Sequence, residues 1–392
     1  MNNSFVIGAP ALPFGAPTLG VPTPQNHVPA IQSGPTPGAP ANTAMSFAAD
    51  HGGCGFWRMH WPESLINSSG KGVVTNSTVM LLDPRYYATV KSVKIQRQVT
   101  PPQLEFVKFL RHTSNNGNKF KLYYEIDDVI FPEDIPLYNK SRSAFVDPVI
   151  SKTAIEIIKH CDAITCPTKF MADYYTERTG VPSIVVPNYL PKFWIDRFYN
   201  KAKVVENFDR NKKRPRIGYV GSPTHLNIDR LQGVQDDIDP YIPLIRKTYK
   251  DYKWVFMGGI PYSLQDLVQS GDVEFVGWKS LYEYAYAFDS LNLNLAFAPL
   301  QNNKFNYAKA PIKYLEAGAL GVPCLCQDAP PYNTDPVAPL RFNTPDEMMD
   351  LAKKLLRDRR MYLNESDDAR KVATKYWLED HIDEHMKVYF PS

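Results

Sequence analysis

Short hydrophobic strands alternate with amphipathic helices along most of the chain, and this alternation constrains the fold more than any other feature of the sequence. In the first half the pattern predicts strands at residues 73–82, 93–96, 120–126, 163–165 and 183–186, and helices at 102–112, 151–159 and 168–179. In the second half it predicts strands at 216–220, 254–257, 273–276, 291–296 and 323–326, and helices at 310–319, 345–357 and 367–389. Such alternation is typical of parallel sheets covered by helices. The sequence therefore predicts an α/β protein with two Rossmann-like domains, residues 46–205 and 206–392, whose last helix can cross back to the first domain.

The first 45 residues differ in composition from the rest of the chain. They contain no charged side chain, and nine prolines fall between Pro10 and Pro40. Such a segment can build neither a hydrophobic core nor a regular helix. We therefore expect residues 1–45 to form a disordered, Pro-rich tail.

Cysteine usage and hydropathy bear on the cellular compartment. The five cysteines are odd in number and scattered, which fits neither a disulfide framework nor the spacing of zinc ligands. No apolar run approaches the roughly 20 residues that are needed to span a bilayer. The sequence therefore indicates a cytoplasmic protein with reduced thiols, no metal site and no contact with a membrane.

The positive charge of the chain is concentrated in the first predicted domain. Residues 46–205 hold 20 Lys/Arg and 15 Asp/Glu, whereas residues 206–392 hold 24 and 26. A positive domain suits an acidic partner such as nucleic acid, although scattered surface charge gives the same count. The candidate contacts to nucleic acid are Lys91, Lys94, Arg97, Lys119, Lys121, Lys140, Arg142, Lys192 and Arg197.

Polar residues follow the predicted strands of the second domain, where open parallel sheets bind their ligands. Gly221 and Ser222 end one strand before a predicted helix, a setting in which backbone N–H groups can hold a phosphate. In the predicted helix 310–319 and just before it, Lys309, Lys313 and Glu316 share one face by spacings of four and three. Amines suit a diphosphate, and a carboxylate suits the two hydroxyls of a ribose. The alternative is a solvated charged helix face.

Three carboxylates mark a strand end in the first domain, at Glu125, Asp127 and Asp128. We expect Asp127 and Asp128 to be catalytic, by stabilising positive charge at a sugar carbon or by orienting an acceptor hydroxyl. The structural alternative is a helix cap with ion pairs to Arg58 or Arg97. The glycine-rich segment that opens the domain adds two candidates, Gly55 for phosphate or acceptor and Arg58 as a third catalytic residue that reaches the diphosphate.

These motifs resemble those of the retaining glycosyltransferases of family 4, which have the GT-B fold of two Rossmann-like domains facing across a cleft. The resemblance covers about residues 46–385 and rests on GCGFWR, YEIDD, CDAITCPT, VVPN, IGYVGS and, most specifically, PIKYLEAGALGVP at 311–323. It implies that the second domain binds a nucleotide-sugar, with uridine diphosphate as the expected carrier, and that Glu316 contacts its ribose. The family has an acid eight residues before this glutamate, where this chain has Ala308, so the sugar stays undefined.

The motif combination is similar to that of phage-encoded members of the family, some of which glycosylate modified bases in phage DNA. The sequence-based expectation is thus a hexosyl- or pentosyltransferase of the host cytoplasm, with no bound cofactor and with a hydroxymethylated DNA base as acceptor. A glycan or a protein is the alternative acceptor. Three other functions remain open: a GT-A transferase with a metal at Asp127 and Asp128, a sugar-nucleotide epimerase, and a non-catalytic virion or interaction module.

Overall fold

A computed structural model describes residues 42–392, and this part of the chain forms two parallel sheets of six strands each. The two-sheet α/β architecture predicted from the sequence is therefore confirmed. The predicted tail lies outside the described residues except at its end, where the first strand begins at Thr43. The boundary at residue 46 was thus three residues too late.

The first sheet contains the strands β1 Thr43–Phe47, β2 Val73–Asn76, β3 Ser92–Gln96, β4 Lys121–Glu125, β5 Ala163–Cys166 and β6 Ser183–Val185. Its strand order is β2-β1-β3-β4-β5-β6, with all neighbours parallel. Its helices are α1 Gly53–Gly55, α2 Trp61–Ser69, α3 Pro101–Asn116, α4 Pro148–Lys159 and α5 Lys169–Thr179. The polar side chain of Thr168 caps the start of α5, and Gly180 ends it in the left-handed region.

Two helices lead into the second half, α6 Lys192–Ile195 and α7 Lys201–Arg210. The second sheet contains β7 Arg216–Gly221, β8 Lys253–Gly258, β9 Glu274–Val276, β10 Leu295–Ala298, β11 Cys324–Gln327 and β12 Arg341–Phe342, in the order β12-β11-β10-β7-β8-β9. Its helices are α8 Ile242–Thr248, α9 Gln265–Gln269, α10 Leu281–Ser290, α11 Lys304–Tyr307, α12 Ile312–Ala319, α13 Pro345–Arg357, α14 Arg359–Thr374 and α15 Leu378–Tyr389.

Three predicted helices of the second half differ from the structure. No long helix follows Gly221 and Ser222; a single 3-10 turn over Pro223–His225 stands there instead. The helix predicted from residue 310 begins at Ile312, so Lys309 lies in the segment before it. The helix predicted at 367–389 is two helices, α14 and α15, with a break between Thr374 and Leu378.

The chain passes between the two halves twice, and the two crossings are hydrogen-bonded to each other. Leu190, on the way out of the first half, donates its N–H to the carbonyl of Tyr376 at 2.8 Å and accepts from Leu378 at 2.9 Å. Beyond this point α15 packs against α2 and β3 of the first half. Its last residue, Tyr389, is fully buried, and its hydroxyl donates to Glu63 at 2.7 Å.

The state of the cysteines and the character of the helices bear on the expected compartment. All five cysteines are free thiols, four of them buried. Within residues 42–392 no helix combines the length and the apolar character that a membrane span requires.

Candidate functional site

The carboxyl ends of the two sheets meet at contacts between oppositely charged or polar side chains. Nζ of Lys309, between α11 and α12, lies 2.8 Å from Oδ1 of Asp128, which follows β4. The hydroxyl of Tyr138, in the loop after β4, donates to Oδ1 of Asp237 in the second half at 2.9 Å. Because strand ends are where open parallel sheets bind ligands, these contacts define the candidate site.

Lys313 lies over the turn that ends β7. A Cβ atom built on Gly221 would lie 3.0 Å from Cε of Lys313 and 2.6 Å from the hydroxyl of Tyr219, so only glycine permits this approach. Nζ of Lys313 makes no hydrogen bond or ion pair with any described residue, and the centroid of the Tyr219 ring lies 5.9 Å away. Burial lowers the pKa of Lys313. An ammonium group held in this way lacks a counter-anion.

Glu316 lies one turn further along α12 and is buried. Its Oε2 accepts a hydrogen bond from the hydroxyl of Tyr284 on α10 at 2.6 Å, while no described residue donates to Oε1. Burial raises the pKa of Glu316 to about 7. A small cavity between β7, β10 and α12 is lined by both Lys313 and Glu316. Helix α12 brings this cation and this carboxyl group to one space, as their spacing predicted.

Lys309 contacts the first half of the protein rather than continuing the face of α12. Besides its ion pair with Asp128, its ammonium group lies 3.7 Å from the centroid of the Phe305 ring. The expectation that Lys309, Lys313 and Glu316 share one helical face was therefore wrong for Lys309. Pro311 at the start of α12 explains the difference, because the residue before a proline avoids the helical conformation.

Asp127 and Asp128 have different environments, although they are neighbours in the chain. Asp128 accepts hydrogen bonds from Lys309 and from the N–H of Val129. Oδ1 of Asp127 is shielded from solvent and has no hydrogen-bond partner among the described residues. Burial raises the pKa of Asp127, and Cys54 is a close neighbour. An unpartnered buried oxygen at a strand end calls for a ligand that donates to it.

Arg58 is fully buried in the first half, inside a π-helical turn over Phe56–His60. Its guanidinium group pairs with Glu125 at 2.7 Å and donates to the carbonyl of Val186 at 2.5 Å and to Oδ1 of Asn188 at 2.7 Å. The guanidinium group of Arg58 is therefore already paired with partners in the interior of the first half. The expectation that Arg58 reaches a diphosphate is therefore wrong, and the residue joins strand ends of the first sheet instead.

The glycine-rich segment before Arg58 wraps around a side chain of its own domain. The N–H groups of Gly52 and Gly55 both donate to Oδ1 of Asp50, at 2.8 and 3.1 Å. A Cβ on Gly55 would lie 1.9 Å from the carbonyl oxygen of Asp50. The N–H of Gly55 is thus already paired, against its predicted role in holding phosphate, and the glycine permits a tight turn. Arg97, which has a positive φ of 46°, forms an ion pair with the same carboxylate.

The turn after β7 brings in a pair that the sequence had not connected. Ser222 was predicted to lie beside a phosphate of the ligand. Its hydroxyl accepts a hydrogen bond from the N–H of Thr224 at 3.2 Å and so caps this turn. Nδ1 of His225 lies 2.7 Å from Oδ2 of Asp237, which is fully buried. Asp237 lies in the loop between β7 and α8, and only its run of acidic residues, Asp236-Asp237-Ile238-Asp239, could have marked it in the sequence.

The candidate contacts to nucleic acid are spread over different parts of the first half. Lys94 is buried and pairs with Glu125 at 2.7 Å, so it was wrongly included among them. Lys121 begins β4, about 20 Å from Asp127 at 3.3 Å per strand residue, and Lys119 lies two residues before this strand. Among the others, Lys140 and Lys192 are exposed on the carboxyl side of the sheet. Within residues 42–392 no group of three metal-ligating side chains comes together.

Comparison with known proteins bears on the fold. No family model matches the chain, and no curated protein matches its sequence. Solved structures that resemble it include a glycosyltransferase from Rickettsia africae, with 9% identity over 89% of this chain and 97% of that chain and a TM-score of 0.56. HepE from Anabaena, in complex with UDP and glucose, has 10% identity over 88% of this chain and 98% of that chain, with a TM-score of 0.52. The N-terminal domain of trehalose-6-phosphate phosphatase from Candida albicans has 9% identity over 88% of this chain and 96% of that chain, with a TM-score of 0.53. At such identities the likeness shows the fold alone. The GT-B fold predicted from the sequence is thereby confirmed, and the GT-A alternative is excluded.

Proposed function

We propose that this protein transfers a sugar from a nucleotide-sugar, with uridine diphosphate as the carrier, to an acceptor hydroxyl. The observation that carries the proposal is the unpaired ammonium group of Lys313 over the Gly221 turn, with the carboxyl group of Glu316 in the same cavity. An ammonium group suits a diphosphate, and a carboxylate suits the hydroxyls of a ribose. The GT-B fold supports it, because HepE with the same fold was crystallised with UDP and glucose.

Each polar group of the site has a role in this proposal. Lys313 and the N-terminal N–H groups of α12, which has no side-chain cap, bind the diphosphate. Oε1 of Glu316 accepts from the ribose, while Oε2 stays bonded to Tyr284. Lys309 adds a second ammonium group beside the reacting carbon.

Asp127 and Asp128 face this group from the first half, and we assign the chemistry to them. Asp127, which is partly exposed at this strand end, binds and orients the acceptor hydroxyl. Asp128 holds Lys309 in place. Carboxylates at this position also stabilise the positive charge that develops at the sugar carbon. We propose retention of configuration on the resemblance to family 4 alone.

For the acceptor, we propose a hydroxymethylated base in DNA of a phage, with a glycan or a protein as the outcomes that replace it. The proposal is supported by the positive excess of the first half and by the exposed Lys140 and Lys192 on the carboxyl side of its sheet. An enzyme that acts on a base must take that base out of the stack, which requires contacts to the backbone on either side.

The donor proposal is tested by calorimetry with uridine diphosphate, followed by a screen for hydrolysis of UDP-sugars without acceptor. We expect binding in the wild type and its loss in a Glu316→Ala variant that melts at the wild-type temperature. Glu283→Ala on the exposed surface of α10 is the matched control. Absence of binding, or equal binding in all three proteins, would remove the donor assignment and favour a non-catalytic module.

The acceptor proposal is tested by mass spectrometry of hydroxymethylcytosine DNA, unmodified DNA and simple glycans after incubation with the donor found above. Each phosphate contact contributes about −0.9 to the slope of log affinity against log salt on duplex DNA. Charge reversal at Lys140 and Lys192 should flatten that slope, whereas reversal at Lys119 should leave it unchanged. Transfer to a glycan, with DNA binding absent, would discard DNA and leave the transferase assignment in place.

A further inference from the structure

One ring nitrogen of His225, Nδ1, is held by Asp237, whereas the other, Nε2, has no hydrogen-bond partner among the described residues. Its side chain is 8% exposed, and its Nδ1 lies 2.7 Å from Oδ2 of Asp237. Oδ1 of Asp237 accepts from the hydroxyl of Tyr138, the N–H of Gln301 and Nδ2 of Asn306, at 2.8 to 2.9 Å. A carboxylate that accepts this many hydrogen bonds is the acceptor for Nδ1 as well, so the proton of neutral His225 is assigned to Nδ1. Nε2 is then a bare nitrogen.

Nε2 of His225 has no hydrogen-bond partner among the described residues, and it is not among the polar atoms that the fold seals from solvent. The histidine belongs to the turn that begins at Ser222, directly after Gly221. It therefore borders the space over which Lys313 lies. Tyr138 from the first half donates its hydroxyl to the same carboxylate that holds the ring, and so helps to fix the position of Asp237.

The charged groups that face His225 are Asp237 from the adjoining loop, Lys313 from α12 and Lys309 from the segment before it. Burial, Lys313 and Lys309 together lower the pKa of His225 to about 4, against the opposing effect of Asp237. The ring is thus neutral at pH 7 while the site is empty. A diphosphate that enters beside two ammonium groups reverses the sign of the local field, and it supplies oxygens that accept from an Nε2–H group.

We propose that His225 is a further cationic ligand of the donor diphosphate and that it takes up one proton from solvent when the diphosphate binds. The inference rests on the proposed function, since it needs a diphosphate in this site. In the bound state Nδ1–H donates to Asp237 and Nε2–H donates to a phosphate oxygen. When the bond between the sugar carbon and that phosphate breaks, the electron pair stays on the phosphate, and the imidazolium stabilises the added charge without losing its proton.

The experiment measures the number of protons taken up per bound uridine diphosphate, by calorimetry at pH 7 in buffers with different ionisation enthalpies. It compares the wild type with His225→Gln and with His112→Gln, which changes an exposed histidine on α3. Ionisation of the ligand and of Glu316 contributes equally to all three proteins and cancels in the difference. We expect His225→Gln to take up fewer protons, by up to one, and to bind about 10- to 100-fold more weakly, as the loss of a charge-assisted hydrogen bond implies.

A second measurement observes the protonation of the ring directly in the wild type, so it does not depend on how well the variant folds. Nitrogen-15 spectra of the histidine rings should show Nε2 of one histidine change from bare to protonated as uridine diphosphate is added, and that signal should be missing from His225→Gln. Equal proton counts in all three proteins, or a ring that stays neutral in the complex, would overturn the inference and leave the donor site intact. No binding of uridine diphosphate to the wild type would overturn both.

Discussion

Replacing Lys313 with methionine should weaken nucleotide binding without destabilising the fold. The ammonium group has no counter-ion within residues 42–392, and burial lowers its pKa, so its charge costs folding free energy. Methionine keeps the length and the apolar stem of the side chain over Gly221 while removing the charge. The melting temperature of Lys313→Met should therefore equal or exceed that of the wild type.

The cost to binding follows from one lost charge-assisted hydrogen bond to phosphate, which is worth about 1.5–3 kcal/mol. At about 1.4 kcal/mol per factor of ten, the dissociation constant for uridine diphosphate should rise about 10- to 150-fold. Calorimetry gives the constant, and thermal unfolding gives the stability. Lys247→Met, at an exposed position of α8, is the control and should change neither. An unchanged dissociation constant, or a lowered melting temperature with it, would refute a binding role and make Lys313 a structural residue.

Three further predictions concern charge and protonation. Because burial raises the pKa of Glu316 to about 7, its carboxylate form should dominate only above that pH. In the His225→Gln variant, the affinity for uridine diphosphate should therefore increase as the pH is raised through 7, and the additional change Glu316→Gln should abolish this increase. Glu125→Gln should lower the free energy of unfolding by about 3–5 kcal/mol, because it leaves two buried cations with one neutral partner, whereas Glu105→Gln on the exposed face of α3 should cost little. Asp127→Asn should reduce turnover without lowering the melting temperature, since burial already raises the pKa of that carboxyl group; a large loss of stability would make it structural.

Protonation also affects stability with a sign that can be worked out. Glu316 in the folded state keeps its proton up to about pH 7, whereas the unfolded chain loses it near the ordinary value of 4.5. Between these two pH values the unfolded state therefore binds fewer protons than the folded state. The contribution of Glu316 to the free energy of unfolding falls as pH rises through this range. His225 acts the other way: the folded state resists protonation down to about pH 4, so stability falls as pH drops below the ordinary value of 6.5.

Elements defined by neighbouring residues could be predicted from the sequence. Helix α13 begins at Pro345 and ends at Arg357 as predicted, because Thr344 caps it and apolar residues recur with the helical period. Strand β1 was missed because its five small and apolar residues follow a Pro-rich segment without a boundary signal. The start of α12 was available in Pro311, which disfavours helix at the residue before it.

The site was predictable only where its members share one element. Lys313 and Glu316 lie on α12, so their spacing predicted that they line one space. Arg58 depends on Glu125 and Asn188, which are 67 and 130 residues away along the chain. An ion pair to Arg58 was the structural alternative for the carboxylates at this strand end, and only the tertiary fold decides in its favour for Glu125. His225 and Asp237 are separated by a loop, and Tyr138 comes from the other half. Tertiary contacts decided which polar residues are buried in the interior and which face the site.

The paired crossings at Leu190 and Trp377 limit how the two halves can move. Both segments that join the halves lie side by side there and are tied by two backbone hydrogen bonds, from Leu190 to Tyr376 and from Leu378 to Leu190. Rotation about an axis through this point needs dihedral changes in a few residues only, whereas sliding or twisting of one half against the other would break both bonds. A relative motion of the halves that keeps both bonds is therefore a rotation about this point, and such a rotation would change the distance between Lys309 and Asp128.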